Sequence, residues 1–289
     1  MPYRGRFAPS PTGPLHFGSL VAAVGSWLRA RAQGGAWVVR MEDIDPPREV
    51  PGAAADILAT LAAFGMESDE PVLYQSRREG AYRSAFERLR GEVFPCWCSR
   101  ADLDAHGGLH RGTCVAPAAP DRNPAWRLRV PDVTVVFDDV ALGAQRQNLR
   151  EQAGDFVVLR ADGWFAYQLA VVVDDAYQGI TEVVRGADLL DSTPRQIHLQ
   201  RLLGLPTPAY LHLPLVVDTE GRKLSKQDRA RPVDRGEPVP ALRAALAFLG
   251  CEIHGVAARV DSLLAAAAPR LDPHHLNFAA RAAPQRGSR

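Results

Sequence analysis

The sequence predicts an α/β protein: a parallel sheet interrupted by an insertion and followed by a short helical C-terminal region. Three observations carry this. Strand-period and helix-period segments alternate from the N-terminus to Gly65, as a parallel sheet with crossover helices requires. The alternation breaks between about Arg77 and Gly163, where Cys, His, Gly and Pro are frequent, and it resumes afterwards. A chain of 289 residues also exceeds one small domain, and the pattern divides it into 1–76, 77–164, 165–228 and 229–289.

Each element follows in order. "YRGRFAPSP" begins as a strand and is stopped by Pro9 and Pro11, which supply no ladder donor. Apolar residues at helical spacing from Leu20 to Ala32 predict a helix that Gly34 and Gly35 close. "AWVVRMEDI" reads as a strand and "GAAADILATLAAFG" as a helix ending at Gly65. In the insertion, a helix is expected around Ala81 to Arg90, with short strands in "VTVVFDDV" and "FVVLRADG". The apolar runs "WFAYQLAVVVDDA" and "ITEVVRGADLL" predict buried strands. "STPRQIHLQRLLG" predicts a helix with Ser192 or Thr193 as cap, Pro194 in the first turn and Gly204 as stop. "HLPLVVD" is a further strand that runs into the loop "GRKLSKQ". "ALRAALAFLG" and "RVDSLLAAAA" are expected as C-terminal helices, and "RAAPQRGSR" as a disordered tail. There are no internal repeats.

Apolar content of 46% with 23% charged residues places the chain among soluble globular proteins. The net charge of +1 and the absence of a polybasic tail neither announce nor exclude nucleic acid. No signal peptide and no apolar run approaching ~18–20 residues is present, so a cytoplasmic chain without a membrane partner is expected. Of the four cysteines, three lie between Cys96 and Cys114, which is not a secreted disulfide framework.

Three stretches carry chemistry. "PSPTGPLHFGS" falls between the first strand and the first helix, where open α/β sheets bind ligands against a helix N-terminus. Gly13 and Gly18 allow backbone to approach a phosphate, and Thr12 and His16 offer hydrogen bonds, although the stretch is neither a Walker loop nor a dinucleotide fingerprint. "GRKLSKQ" holds Lys223 and Lys226, the only lysines in a chain with 32 arginines. A compact ammonium on a flexible stem suits a charge that must be followed as it moves. "CWCSRADLDAHGGLHRGTC" gathers Cys96, Cys98, His110 and Cys114, which suit a closed, structural tetrahedral zinc site. Its C-x-C spacing departs from the common C-x₂-C pair, His106 competes with His110, and free cysteines in a loop are the alternative. Cys251 reads as a small buried hydrophobe.

"RFAPSPTGPLHFGS" followed by "KLSKQ" resembles the paired ATP-binding signatures of class I aminoacyl-tRNA synthetases, with His16-Phe17-Gly18-Ser19 at the HIGH position and Lys223 to Gln227 at KMSKS. "RFAPSPTG", "VVVDDA", "RGADLLDSTPRQIHLQRLLG" and "KLSK" follow the glutamyl/glutaminyl branch in its order over Tyr3 to Gln227. The resemblance implies a Rossmann-like catalytic domain formed by 1–76 and 165–228, split by an acceptor-facing, zinc-bearing insertion. It also implies ATP with Mg²⁺, and L-glutamate. Two features depart from ordinary glutamyl enzymes. Those carry a helical anticodon-binding region after KMSKS, where only residues 227–289 follow here, and they read "RGEDHLSNT" where this chain has "RGADLLDST". Both departures are similar to the short paralogues that form glutamyl-adenylate and transfer glutamate to the queuosine base of tRNA(Asp). A monomeric ligase of that kind is therefore expected. A truncated synthetase charging a tRNA 3′ end, and a non-catalytic module binding RNA or sensing glutamate, are the alternatives.

Residue roles follow from the same resemblance. Arg6 and Arg185 would each meet a carboxylate of glutamate, for which a bidentate guanidinium is suited. Glu42 would hold the ammonium, Tyr167 would form a wall with a hydrogen-bonding hydroxyl, and Ala8 and Ser10 would add backbone or hydroxyl contacts. ATP would contact Thr12, Gly13, His16, Gly18, Ser19, Lys223 and Lys226. Catalysis is assigned to His16, Lys223 and Lys226, with Lys226 on the pyrophosphate side and Lys223 in support. The paralogues carry a similar zinc site, with tyrosine common where His110 stands. Arg100, Arg111, Arg127 and Arg129 are candidates for nucleic-acid phosphates.

Overall fold

The computed structural model describes residues 2–119, 121–217, 231–255, 259–278 and 281–282. The first strand, β1 (Arg4–Phe7), ends just before Pro9. Helix α1 (Phe17–Ala32) starts at Phe17 rather than Leu20, because the His16 ring caps it by accepting the Ser19 N–H at 3.2 Å. Gly34, at φ 61°, makes the left-handed turn that ends it. Strand β2 (Ala36–Met41) then runs parallel to β1, α2 (Ala53–Ala63) returns, and β3 (Leu73–Tyr74) extends the sheet in the order β1-β2-β3.

The middle of the chain comprises α3 (Glu79–Arg88), β4 (Val93–Cys96), α4 (Arg100–Asp104), β5 (Ala125–Leu128), β6 (Thr134–Asp139), β7 (Gly143–Asn148), α5 (Leu149–Gln152) and β8 (Phe156–Leu159). Strands β4, β5 and β8 form their own antiparallel sheet. The β6–β7 hairpin does not join it. After α6 (Tyr167–Tyr177), β9 (Glu182–Gly186), α7 (Thr193–Leu202) and β10 (Ala209–Leu213), β6 pairs in parallel with β10, giving a sheet of order β7-β6-β10-β9. The remaining elements are β11 (Val216–Val217), α8 (Pro238–Phe248), α9 (Val260–Ala267) and β12 (Arg281–Ala282), which pairs with β11.

Five expectations are corrected. "WFAYQLAVVVDDA" holds helix α6, not a strand. Leu169, Ala170, Val171 and Val172 are all buried, so this stretch carries no polar residue at helical spacing and its run of valines mimics a strand. "ITEVVRGADLL" is a strand only to Gly186, after which Ala187–Ser192 is a 3-10 turn. Pro214 divides "HLPLVVD" between β10 and β11. Ser192 makes no capping bond to α7, although Pro194 does sit in the first turn. Of the tail expected to be disordered, Arg281–Ala282 is a strand, and residues 283–289 lie outside the described residues.

The sheet β1-β2-β3 and the mixed sheet β7-β6-β10-β9 meet between β1 and β9. The Thr181 N–H donates to the Arg4 carbonyl at 3.0 Å, and Arg6 reaches the Val184 carbonyl at 3.3 Å. From β1 the chain order runs outward through β2 and β3, and from β9 it runs the other way through β10. This reversal is a topological switch point, the place in an open α/β sheet where a crevice opens at the strand C-termini. Leu20, Val24 and Leu28 of α1 pack with Trp37, Val39 and Met41 of β2 and with Leu242 and Leu246 of α8. Leu20, Leu28 and Leu242 are fully buried, each contributing about 1.5–3 kcal/mol. The C-terminal helices thus share the core of the first sheet. Among the described residues no helix is long and apolar enough to cross a membrane.

Candidate active site and metal centre

A cavity of about 560 Å³ opens at the switch point. Arg6, Ala8 and Ser10 line it from the end of β1, Glu42 from the end of β2, Tyr167 from α6, and Arg185 from β9. Thr12, His16, Gly18 and Ser19 line it from the turn and the N-terminus of α1. Gly13 does not line it; its φ of 136° serves the turn itself. Sequence positions spread from Arg6 to Arg185 therefore converge on one crevice.

Lys223 and Lys226 lie outside the described residues, but the residues that flank their segment do not. Val216 lines the cavity before the segment. After it, Pro232 forms a bridge with His16, and the Val233 N–H donates to the Leu15 carbonyl at 2.9 Å. Described residues on both sides of the lysine segment therefore lie at the cavity or contact residues of its rim.

One side of the cavity is an ion-paired network. Asp175 Oδ1 accepts from Arg6 Nε at 3.1 Å and from Arg40 Nη1 at 2.7 Å, and Arg40 Nη2 donates to Glu42 Oε1 at 3.2 Å. All four side chains are buried. Burial works against the Asp175 carboxylate, yet Arg6 and Arg40 hold it below the ordinary range. For Glu42 burial wins over Arg40 and Arg6, and its carboxyl titrates above the ordinary value.

The other side is built around Arg185. Its Nη2 donates to Thr193 Oγ1 at 2.7 Å, its Nη1 to Gln196 Oε1 at 2.8 Å and to Tyr167 Oη at 3.4 Å, and its Nε to His212 Nε2 at 3.2 Å. His212 in turn donates from Nδ1 to Asp139 Oδ2 at 2.6 Å. None of Arg185's hydrogen-bond partners is a carboxylate, although Asp188 also lines the cavity. Burial pushes the His212 ring toward its neutral form and the Tyr167 hydroxyl toward its protonated form. Sequence reasoning missed Arg40, Asp175, Thr193, Gln196, His212 and Asp139. Arg40 and Asp175 did carry a signal, as charged residues at the ends of apolar runs ("VVRM", "VVVDDA").

The insertion brings Cys96, Cys98, His110 and Cys114 together, with one ligand atom from each within 4.8 Å of the others. Tetrahedral sulfur ligands about 2.3 Å from zinc lie roughly 4 Å apart, so the spacing fits. Three further observations support a metal. The buried His110 Nε2 has no hydrogen-bond partner, while Nδ1 is held by Asp155 Oδ2 at 2.8 Å, the arrangement that aims a ligating imidazole. Backbone N–H groups of Val115 and Ala116 point at Cys98 Sγ, at 3.2 and 3.5 Å. Arg127 Nε points at Cys96 Sγ, at 3.2 Å. Burial opposes ionisation of Cys98, but those amides and Cys96 pull its thiol down; burial and the neighbouring thiols push Cys114 up to about 12. At Gly154, φ 64°, a side-chain carbon would stand 2.6 Å from the His110 carbonyl, so the glycine lets the chain pass.

His106, the competing ligand, is exposed, with Nδ1 2.8 Å from the Asp102 carbonyl, and lies outside the cluster. Arg127 is corrected as a phosphate contact: it is buried against Cys96 and the Asp155 carbonyl. Arg100, Arg111 and Arg129 are exposed, and Arg129 lies over the Phe94 ring at 4.7 Å. Cys251 is buried as expected, and burial pushes its thiol up to about 11.

Comparison with known proteins agrees with this architecture. The family model for the class I tRNA synthetase (E and Q) catalytic domain matches residues 3–126 and 114–257. A Burkholderia cenocepacia protein named glutamyl-Q tRNA(Asp) synthetase is 61% identical over 267 residues, covering 88% of this chain and 90% of its own. A protein of the same name from Xanthomonas axonopodis pv. citri is 59% identical over 280 residues, covering 95% and 93%. The crystal structure of a glutamate tRNA ligase from Elizabethkingia meningosepticum, in complex with its amino acid, superposes with a TM-score of 0.81. At 23% identity over 98% of this chain and 67% of that one, it shows the shared fold. The chain belongs to the class I glutamyl and glutaminyl tRNA synthetase family, in the group of relatives named glutamyl-Q tRNA(Asp) synthetase.

Proposed function

We propose that this chain is a ligase that activates L-glutamate with ATP and transfers the glutamyl group to the queuosine base of tRNA(Asp). The observation that carries the reading is the division of the cavity into two electrostatic halves. Glu42, with its burial cost, is matched to an ammonium, and Arg185, with only uncharged hydrogen-bond partners, is matched to a carboxylate. A dicarboxylic amino acid complements both halves, with Arg6 meeting its second carboxylate. Tyr167 forms the wall, and Ala8 and Ser10 add contacts at the end of β1.

In the first step an oxygen of the glutamate α-carboxylate attacks the α-phosphorus of ATP, the bond to the pyrophosphate oxygen breaks, and pyrophosphate leaves. A hydroxyl of the acceptor then attacks the adenylate carbonyl and AMP leaves. The chain supplies position and charge rather than covalent chemistry. The N-terminus of α1, with His16, Gly18 and Ser19, and with Thr12 and Gly13 in the preceding turn, suits the phosphates. Lys223 and Lys226 neutralise charge as pyrophosphate departs. Mg²⁺ accompanies ATP through its phosphates. Zn²⁺ in the Cys96, Cys98, His110 and Cys114 cluster fixes the fold of the insertion and takes no part in the reaction.

The acceptor rests on the relatives' names and on their identity to this chain. In this reading 1–76 and 165–228 activate glutamate, 77–164 faces the acceptor nucleic acid, 229–289 supports the catalytic core, and the protein is a cytoplasmic monomer. Glutamate-dependent ATP–pyrophosphate exchange without tRNA tests activation. Acylation of tRNA(Asp) with and without queuosine, alongside tRNA(Glu), tests the acceptor. Exchange together with queuosine-dependent charging is expected. Charging of tRNA(Glu) alone would defeat the acceptor assignment, and absence of exchange would defeat the enzyme.

A further inference from the structure

Arg185 is held on every side. Thr193, Gln196 and Tyr167 take hydrogens from its two terminal nitrogens, and the Tyr210 ring lies 5.5 Å from the guanidinium carbon. The N–H on Nε points at His212 Nε2. A guanidinium only donates, so this contact requires a lone pair on Nε2 and hence a ring proton on Nδ1.

Asp139 enforces that tautomer. Its Oδ1 accepts the N–H groups of Ala141 and Leu142, each at 3.0 Å, which fixes the carboxylate in the β6–β7 turn. Its Oδ2 faces His212 Nδ1 at 2.6 Å. Both side chains are fully buried. A carboxylate is an acceptor, so Nδ1 carries the proton and Nε2 is left to accept. Neither residue lines the cavity, so they act through Arg185 and not on a bound molecule.

We infer that His212, oriented by Asp139, is a positioning residue that aims the Arg185 guanidinium into the cavity without placing a carboxylate on its Nε. A carboxylate in place of His212 would neutralise Arg185 and weaken its hold on an anionic substrate. An apolar residue would leave Nε unpaired and the fork free to turn. A neutral imidazole acceptor fixes the fork and preserves the charge. This inference rests on the glutamate reading for its substrate and on the hydrogen-bond chain for its geometry.

The test compares two amide variants in glutamate-dependent ATP–pyrophosphate exchange. His212→Asn keeps a donor for Asp139 but is too short to accept from Arg185. His212→Gln reaches the Nε2 position with its carbonyl oxygen. The Asn variant is expected to raise KM for glutamate on the order of tenfold, the effect of one charge-assisted hydrogen bond. Its kcat should stay near wild type, and the Gln variant should recover most of the affinity. A merely structural role would impair both alike. Equal KM values in the two variants, or a wild-type KM in the Asn variant, would overturn the inference. Should either variant fail to fold, ¹⁵N NMR of the wild-type ring decides: a neutral ring protonated on Nδ1 is required, and a proton on Nε2 refutes the arrangement. Absence of exchange in the wild type would sink the glutamate reading itself, with the ring measurement still deciding the geometry.

Discussion

Asp175 accepts from Arg40 at 2.7 Å and from Arg6 at 3.1 Å through the same carboxylate oxygen, with all three side chains buried. The carboxylate comes from α6, Arg6 from β1 and Arg40 from β2, so one ion cluster ties a helix to two strands at the switch point. Removing one member of such a cluster strands the others in low dielectric. Asp175→Ala is therefore expected to cost about 3–5 kcal/mol of stability, because two buried guanidiniums lose a counterion. Urea unfolding monitored by circular dichroism gives the comparison. A loss under about 1 kcal/mol would mean that water or Glu42 compensates both arginines.

The Asp155 carboxylate supports the metal cluster without joining it. One oxygen holds His110 Nδ1 and the Gly112 N–H, each at 2.8 Å, and the other accepts the Val130 N–H at 2.8 Å. Asp155→Asn should weaken metal affinity by roughly 10–100-fold, the usual effect of losing the group that orients a ligating histidine. Competition with a chelating dye measures it. His106→Ala should leave affinity unchanged. Metal removal from the wild type should lower the thermal midpoint, and a chelator-insensitive midpoint would make the cluster three free thiols beside an ordinary buried histidine.

The legibility of the sequence differed between fold and site. The turn before α1 was readable because proline and glycine punctuate it, and the metal cluster because four ligands of two types, cysteine and histidine, fall in one short segment. Helix α6 was not, since its central apolar run, Leu169 to Val172, is buried and shows no alternation with polar residues to distinguish a helix from a buried strand. The β6–β7 hairpin was read with the insertion because pairing with β10 is a non-local fact. Resemblance supplied Arg6, Glu42, Tyr167 and Arg185, but not the residues that hold them. Asp139 and His212 are 73 positions apart, and nothing local in either stretch marks them as partners.

Glu42 sits at a point where stability and binding oppose each other. Burial, the largest influence, outweighs Arg40 and Arg6 and raises its carboxyl above the ordinary value. A carboxyl whose folded pKa exceeds its unfolded one stabilises the protein most at low pH, and that contribution is lost as pH rises through the folded value. Above the folded value the ionised group is thus a net cost. Glu42→Gln should keep or raise the thermal midpoint at pH 7 while raising KM for glutamate about 10–100-fold, through loss of the ammonium's counter-charge. In the wild type, KM should begin to rise on acidification above the pH at which an ordinary glutamate protonates. Exchange kinetics between pH 5 and 8, paired with melting curves, separate the two effects. A large drop in midpoint for the Gln variant would show that the Arg40 pairing dominates instead.

Lys226 offers the sharpest test of the phosphate side. The residues on either side of its segment are tied to the cavity, with Val216 in the lining and Pro232 and Val233 bonded to His16 and Leu15. A chain that otherwise uses arginine keeps its two lysines here. The ammonium is a compact charge with freely rotating donors, whereas a guanidinium presents a rigid plane. Pyrophosphate changes both charge and position as the bond to the α-phosphorus breaks, so a rotating point charge can follow it and a fork cannot. Lys226→Arg is expected to lower the exchange rate by about 10²–10³, typical of losing one transition-state contact. KM for glutamate should barely change, because Arg6, Glu42 and Arg185 bind that substrate elsewhere. Near-normal exchange in the variant would reduce the requirement to positive charge alone, and a parallel rise in glutamate KM would place the lysine on the amino-acid side.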